Sequence, residues 1–432
     1  MSTVYGRSWL CRKPEMTVKT VASVGFKIAT TSHVRLVSAG ATPLLSAHGE
    51  HGTMSCATPA LPDRLATRVV KELRMNKALI AAAVVASASG AIAKSPLEIV
   101  AQSNSMIWNA VAVERQQIFV AGPRWTGSHG PAVGRLDHER QPQPYPNGAW
   151  NGWHEGMDAS KAFVDVNALR RDGKGSLWVV DTGSAKFGGD PLPGGAKLVQ
   201  IDLATGKVAR VIAFGPKIAL PGSYVDDVRF HGDFAYLTDA GRPGIIVVNL
   251  KTGNMRRVLE NIPATTARDD RPIVLDGAVL NGPDGKPVRV NTDPMEVSLD
   301  GEWFYFGTLE GPWSRIATRW LDNFSAPAKT LNAKVEPWAD LPPVGGTVMA
   351  ADGSLYFTEL STNSLKRRAP NGSITTIAQD QRLHWVDAPT IDDQNRILLP
   401  VPQIDRAPIF HDGQSQVQWP ITLYRMKLPT TS

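Results

Sequence analysis

The chain has 432 residues, 42% hydrophobic and 20% charged, which is enough apolar material for a large core and too much for disorder throughout. Its 38 Gly and 32 Pro favour many turns and short strands over long helices, and its 12 Trp supply large surfaces for burial. The formal charge of +6 resides near the N-terminus: residues 1–93 carry 11 Lys+Arg against 4 Asp+Glu, leaving 35 against 36 in residues 94–432, so the latter have no general attraction for nucleic acid.

In chain order, residues 1–74 show little pattern, apart from Leu61–Arg74, where Leu65, Val69 and Leu73 fall on one helical face. Met75-Asn76-Lys77 then opens a short basic segment, followed by an apolar small-residue run from Ala78 that ends in Ala91-Ile92-Ala93. This is the layout of a secretory signal peptide over 75–93, too short to span a membrane. We expect Met75 to be the native start, with residues 1–74 an upstream misread or a disordered extension. Export places the protein outside the cytoplasm, secreted or periplasmic, with no membrane association after cleavage. Both cysteines, Cys11 and Cys56, precede this segment, so Cys-bound metal, disulfides and Cys nucleophiles are excluded from residues 94–432.

From residue 114 onward one phrase recurs: a polar turn, often Asp-Gly, then a short apolar strand with a large residue at its centre. Its anchors are Phe119, Trp178, Tyr236, Tyr305, Tyr356 and Leu398, spaced 59, 58, 69, 51 and 42 residues apart. A strand precedes most of these turns, as at Val166–Leu169, Val225–Phe230, Met295–Leu299 and Thr347–Ala350. Two more follow where the pattern is clearest: Lys197–Leu203 with Lys207–Phe214, Gly244–Leu250 with Met255–Leu259, and Ser364–Arg368 with Ser373–Ala378. Four antiparallel strands in each of six copies predict an all-β, six-bladed β-propeller over residues 94–432. The sixth copy has a single later strand, Ile421–Leu428. Leu97–Gln102 is free to supply its outer edge, which pairs the N- and C-terminal strands and closes the ring.

Phe163-Val-Asp-Val-Asn-Ala-Leu-Arg170 with Leu177-Trp-Val-Val-Asp-Thr-Gly183, Tyr224-Val-Asp-Asp-Val228 with Ala235-Tyr-Leu-Thr-Asp-Ala-Gly241, and Asp293-Pro-Met-Glu-Val-Ser298 resemble the Yellow/major royal jelly protein family, in particular its bacterial, dopachrome-tautomerase-related members. The resemblance covers about residues 97–428. It implies a six-bladed propeller, usually secreted. Among relatives it implies dopachrome conversion, binding of biogenic amines, or nutrient and structural roles.

Propeller ligands favour the axial mouth, where the loops leading into each innermost strand meet. Those loops contribute Asn109, Asp165, Asn167, Asp226, Asp227, Asp293, Glu296 and Asp387, with His384 nearby. The loops between second and third strands add Asp181, Asp239, Glu310 with Trp313, and Glu359. The two sets predict one acidic mouth that attracts a small polar or cationic ligand. Trp313 and Trp385, with Trp125 and Trp150, could stack on an amine or catechol-like molecule, while Trp178 is expected to pack between blades. His384 and Asp387 are the candidate catalytic pair, a proton shuttle for tautomerisation.

The motifs call for no resident cofactor with certainty. One alternative is a Ca2+ ion held by Asn167, Asp227 and Glu296, aided by Asn109 and Asp387. That arrangement is similar to gluconolactonase-like propellers, in which a divalent ion polarises a lactone or ester. Another alternative is a non-catalytic binding scaffold. No dinucleotide, phosphate-loop, nucleophile-elbow or zinc-protease motif occurs, and Gly127-Ser-His-Gly130 sets Ser beside His without facing it. The expected partner is a small molecule, not nucleic acid, bound by a monomer.

Overall fold

The computed structural model describes residues 97–429. The expected signal peptide at 75–93, the segment 1–74 and both cysteines lie outside the described residues.

After β1 (Glu98–Ser103), blade 1 is formed by β2 (Ala110–Glu114), β3 (Gln117–Ala121), β4 (Val133–Leu136) and β5 (Pro142–Pro144). Blade 2 is β6 (Val166–Arg171), β7 (Ser176–Asp181), β8 (Lys197–Asp202) and β9 (Lys207–Ala213). Blade 3 is β10 (Val225–His231), β11 (Phe234–Asp239), β12 (Gly244–Asn249) and β13 (Met255–Val258). A two-stranded hairpin follows, β14 (Val274–Leu275) with β15 (Ala278–Val279). Blade 4 is β16 (Thr292–Val297), β17 (Trp303–Thr308), β18 (Trp313–Ala317) and β19 (Glu336–Ala339). Blade 5 is β20 (Val344–Met349), β21 (Leu355–Glu359), β22 (Ser364–Arg368) and β23 (Ile374–Gln379). Blade 6 orders β24 (Thr390–Ile391), β25 (Arg396–Val401) and β26 (Ile421–Lys427) from the axis outward, with β1 as its outermost strand.

The six-bladed propeller is therefore present, all antiparallel, and closed as the sequence predicts. β1 pairs with β26 from Glu98↔Arg425 to Ser103↔Ile421, leaving blade 6 no missing edge. All six anchors fall on second strands. These have blades on both faces, so β7 is buried along its whole length, whereas the outer strand β9 alternates exposed and covered residues. Apolar clusters fill each gap between consecutive blades: Phe119, Phe163 and Val179 between blades 1 and 2, for example, and Tyr236, Met295 and Phe304 between blades 3 and 4. Trp178 packs in this way, with its ring 5.5 Å from that of Phe230.

One irregularity repeats. The register slips by one residue at the start of β6, β10, β16 and β20, between Val166 and Ala168, Val225 and Val228, Thr292 and Met295, and Val344 and Thr347. A bulge of this kind breaks the pleat's alternation, so that neighbouring residues can turn to the same side. The residues inside these bulges are Asn167, Asp226 with Asp227, Asp293 with Pro294, and Gly345 with Gly346. All of them line the axial passage.

Candidate functional site

At the axial mouth lies a cleft of 340 Å³ whose walls include Asn109, Asn167, Asp226, Asp293, Asp387 and Trp385. A narrow passage continues beneath it. Asn167, Asp226, Asp293 and Asp387 line both spaces, and Arg170, Asp227 and Thr347 join them in the passage. The glycine pair of blade 5 makes this convergence possible. A Cβ on Gly345 would stand 2.3 Å from the Val386 carbonyl oxygen, and one on Gly346 2.5 Å from the Asp387 carbonyl. Only glycine lets the acidic loop of blade 6 lie this close.

The floor of the site is a closed ion network. Arg170 donates to both Asp227 oxygens, at 3.2 and 2.7 Å, and Arg229 donates to Asp227 at 2.7 Å and to both Glu296 oxygens at 3.0 and 2.8 Å. Thr347 Oγ1 adds a hydrogen bond to Glu296 at 2.9 Å. Two guanidiniums match two carboxylates, and the arginines hold the Asp227 carboxyl well below the usual carboxylate range against the opposing effect of burial.

Above this floor the acids lack such partners. Asp226 Oδ1 accepts one amide N–H, from Asn167 at 2.7 Å. Asp387 accepts the Ala388 backbone N–H at 2.7 Å, with a further hydrogen bond from the Trp385 side chain. Asp293 has no hydrogen-bond partner for its carboxyl among the described residues. Burial, then the mutual repulsion of these acids, pushes Asp226 and Asp293 well above the ordinary carboxylate range. Burial raises Asp387 to about 7. Three neighbouring carboxyls are thus each shifted toward the protonated form, Arg170 opposing the shift in Asp226 and Asp387.

A hydrogen-bonded chain orients the polar wall. Trp125 Nε1 donates to Tyr224 Oη at 3.0 Å, Tyr224 donates to Asn167 Oδ1 at 2.8 Å, and Asn167 donates to Asp226. Asn109 Nδ2 also donates to Asn167 Oδ1, at 3.2 Å, while the buried Asn109 Oδ1 has no partner and is left as an acceptor. The facing wall is aromatic. Trp125 and Phe187 lie 4.5 Å apart between ring centroids, with Phe410 edge-on to Trp125 at 6.4 Å.

Several expected site residues are elsewhere. His384 does not meet Asp387: its Nε2 lies 2.9 Å from both Asp405 carboxylate oxygens, so the proposed shuttle pair is not formed. Trp313 begins a third strand and is 1% exposed, packed against Trp338 in the gap between blades 4 and 5, away from the mouth. Trp150 packs on Phe163. Asp165 does not line the cleft. It accepts the Arg124 backbone N–H at 2.6 Å and so fixes the turn that carries Trp125.

The second-strand acids also do not converge on the mouth. Asp181 is taken up by the backbone N–H groups of Val164, Asp165 and Gly183 and by Lys197 Nζ at 2.7 Å. Asp239 plays the same part for Tyr224, Gly241 and Arg242, with Arg257 as its cation. Glu359 pairs with Lys366. Glu310 is fully buried, and burial pushes it to about 7.

The Ca2+ set of Asn167, Asp227 and Glu296 does not fit a metal. Asp227 and Glu296 already accept from arginines, and a guanidinium beside a carboxylate repels a second cation. Among the described residues no three His, Cys, Asp or Glu side chains form a metal-holding group. Composition hinted at Trp125 and Trp385, but Phe187, Tyr224 and Phe410 had no signal of their own. They sit in irregular loops whose path a sequence period does not set.

Comparison with known proteins places this geometry in a family. The profile of the major royal jelly proteins matches residues 165–421. No curated protein matches. Similar solved structures include a virginiamycin B lyase from Staphylococcus aureus at 12% identity and a TM-score of 0.45, covering 77% of this chain and 99% of that one. A streptogramin B lyase aligns at 11% identity and a TM-score of 0.42, over 74% of this chain and 78% of its own. The extracellular domain of a putative hybrid two-component system from B. thetaiotaomicron aligns at 9% identity and a TM-score of 0.40, over 78% of this chain and 40% of its own.

Proposed function

The chain belongs to the major royal jelly protein family, and on that premise we propose that it binds a small cationic organic molecule, an aromatic amine or catechol derivative, at the axial mouth and isomerises it by proton transfer. The observation that carries this reading is the placement of Asp226, Asp293 and Asp387 against an aromatic wall, with Arg170 and Arg229 committed to Asp227 and Glu296, and with Arg289, which also lines the cleft, held by Asp269. An ammonium group supplies the charge these acids lack, and a ring stacks on Trp125, Phe187 or Trp385. The unpartnered Asn109 Oδ1 adds an acceptor for an N–H of the ligand.

A tautomerisation of the dopachrome type removes a proton from carbon and delivers one to a heteroatom. A carboxyl near pH 7 in its titration serves such a step best. One ionised member of the cluster takes the proton while a protonated neighbour gives one up, so the cluster's proton count is unchanged. This role falls to Asp387 with Asp226 or Asp293, not to His384.

We also propose that the protein acts as a monomer outside the cytoplasm. The support for export is the signal-peptide pattern at 75–93. No helix of the described residues is long and apolar enough to cross a membrane.

The test is conversion of dopachrome methyl ester, which lacks the carboxylate that an acidic mouth would repel, followed by its absorbance, beside thermal unfolding with tyramine, dopamine and uncharged catechol. The proposal expects turnover that Asp387→Asn abolishes, and a midpoint raised by the two amines more than by catechol. Turnover unaffected by Asp387→Asn sinks the catalytic part. Equal response to amine and catechol sinks the cation site.

A further inference from the structure

Two segments that belong to no blade wall the cleft. One is the stretch 262–291 around the β14–β15 hairpin, which brings Leu280 and Val290. The other is the loop 402–420 between β25 and β26, which brings Ile404 and Phe410. Their apolar sides join Trp125 and Trp385 in a single cluster. Loops this long with little regular structure depend on side-chain contacts as well as on their few backbone hydrogen bonds to hold their shape.

His384 stands where the two segments meet, and it is 4% exposed. Its Nε2 contacts both oxygens of Asp405, from the second segment, at 2.9 Å. Its Nδ1 faces Asp276 Oδ2, from the hairpin, at 3.6 Å. Asn363 Nδ2 donates to the Asp276 carboxylate from blade 5 at 3.3 Å, and His411 Nε2 lies 2.8 Å from the Asp405 backbone carbonyl, so the Asp276 side chain and the Asp405 backbone are each held a second time. The next residue, Trp385, has φ +53° and turns its ring toward the cleft.

We propose that His384 is a positioning residue: one imidazole, set between Asp276 and Asp405, pins both segments over the mouth and thereby fixes the aromatic wall. The physical basis is that the two ring nitrogens address two carboxylates from segments more than 100 residues apart in sequence, Nε2 by a 2.9 Å hydrogen-bond contact to the largely buried Asp405 and Nδ1 by a 3.6 Å contact to the exposed Asp276. Neither segment reaches the other through a backbone ladder; besides the apolar cluster they share, the imidazole is the polar link between them. The consequence for ligand binding rests on the function proposed above, whereas the pin itself does not.

The experiment is segment-resolved hydrogen exchange on the full chain, wild type beside His384→Ala, Asp276→Asn and Asp405→Asn. His384→Ala is expected to speed exchange of both 262–291 and 402–420, on the order of tenfold, while the second strands of the blades keep their protection. Asp276→Asn frees mainly the hairpin and Asp405→Asn mainly the other segment, which keeps the proposal decidable if His384→Ala does not fold. Dopamine affinity, measured on the same variants, is expected to fall in step with loosening while the unfolding midpoint moves little. If neither segment loosens selectively, or only a uniform loss of protection is seen, the pin is overturned. If wild type binds no aromatic amine, the binding proposal fails and the exchange result still decides the pin.

Discussion

Asp226 and Asp227 are neighbours in the chain, yet their carboxyl groups sit in opposite electrostatic settings. The bulge in β10 sends both into the axial passage. Asp227 meets Arg170 and Arg229, each at 2.7 Å, whereas Asp226 meets the amide of Asn167 at 2.7 Å and two other acids. One carboxyl is paired with two guanidiniums. Its neighbour is buried beside other acids with a single amide hydrogen bond.

Asp227→Asn should destabilise the protein by about 3–5 kcal/mol, because it leaves Arg170 and Arg229 facing each other in a buried site. Urea unfolding at pH 7 checks this. Because the folded state holds this carboxyl below its ordinary range, its stabilisation is fully present above about pH 4 and is lost as the pH falls from there down through the lower folded value. The difference between wild type and Asp227→Asn should therefore shrink in acid.

Asp387→Asn should act in the opposite sense. Burial raises this carboxyl to about 7, so between about pH 4 and 7 the folded state holds a proton that the unfolded chain has lost. Stability then falls as the pH rises across that window. The shift converts to a ceiling of about 4 kcal/mol, and the observed change lies below it because the carboxyl opens on the cleft. The substitution should raise the unfolding midpoint at pH 8 and leave it near wild type at pH 4.

Cation binding should strengthen with pH across neutrality. A bound ammonium replaces protons on the acid cluster, so each proton released makes affinity rise by up to about tenfold per pH unit below the cluster's titration range. Calorimetry with dopamine in two buffers of different ionisation enthalpy counts that release. Asp387→Asn should reduce it.

Gly346→Ala should both destabilise and impair binding. Its Cβ would stand 2.5 Å from the Asp387 backbone, and a backbone cannot swing aside as a side chain can. Overpacking of this kind costs about 1–3 kcal/mol. Trp385→Leu, by contrast, should weaken amine binding by about 0.5–2 kcal/mol, the range of a cation–π contact.

The blades were legible because each second strand is buried on both faces and announces itself as a turn followed by an apolar run, as at Asp172–Val180. The closing strand was legible because blade 6 lacked an edge. The site was only half legible. Asp181, at the end of a second strand, and Asp226, at the start of an innermost one, are the same residue type, and what separates them is a Lys197 ammonium on one and an Asn167 amide on the other. Bulges decide which side chains reach the axis, and no period marks a bulge. His384 was expected beside Asp387, but its partner is Asp405, 21 residues on, in the irregular loop that follows β25.

The most direct measurement is isothermal titration of dopamine into the full chain at pH 8, wild type beside Asp293→Asn. Asp293 makes no hydrogen bond that its loss would break, so folding should survive. Saturable binding by wild type, weakened tenfold or more in the variant, is the result predicted for an ammonium held by this acid cluster. Equal binding by the two proteins, or none by wild type, would contradict it.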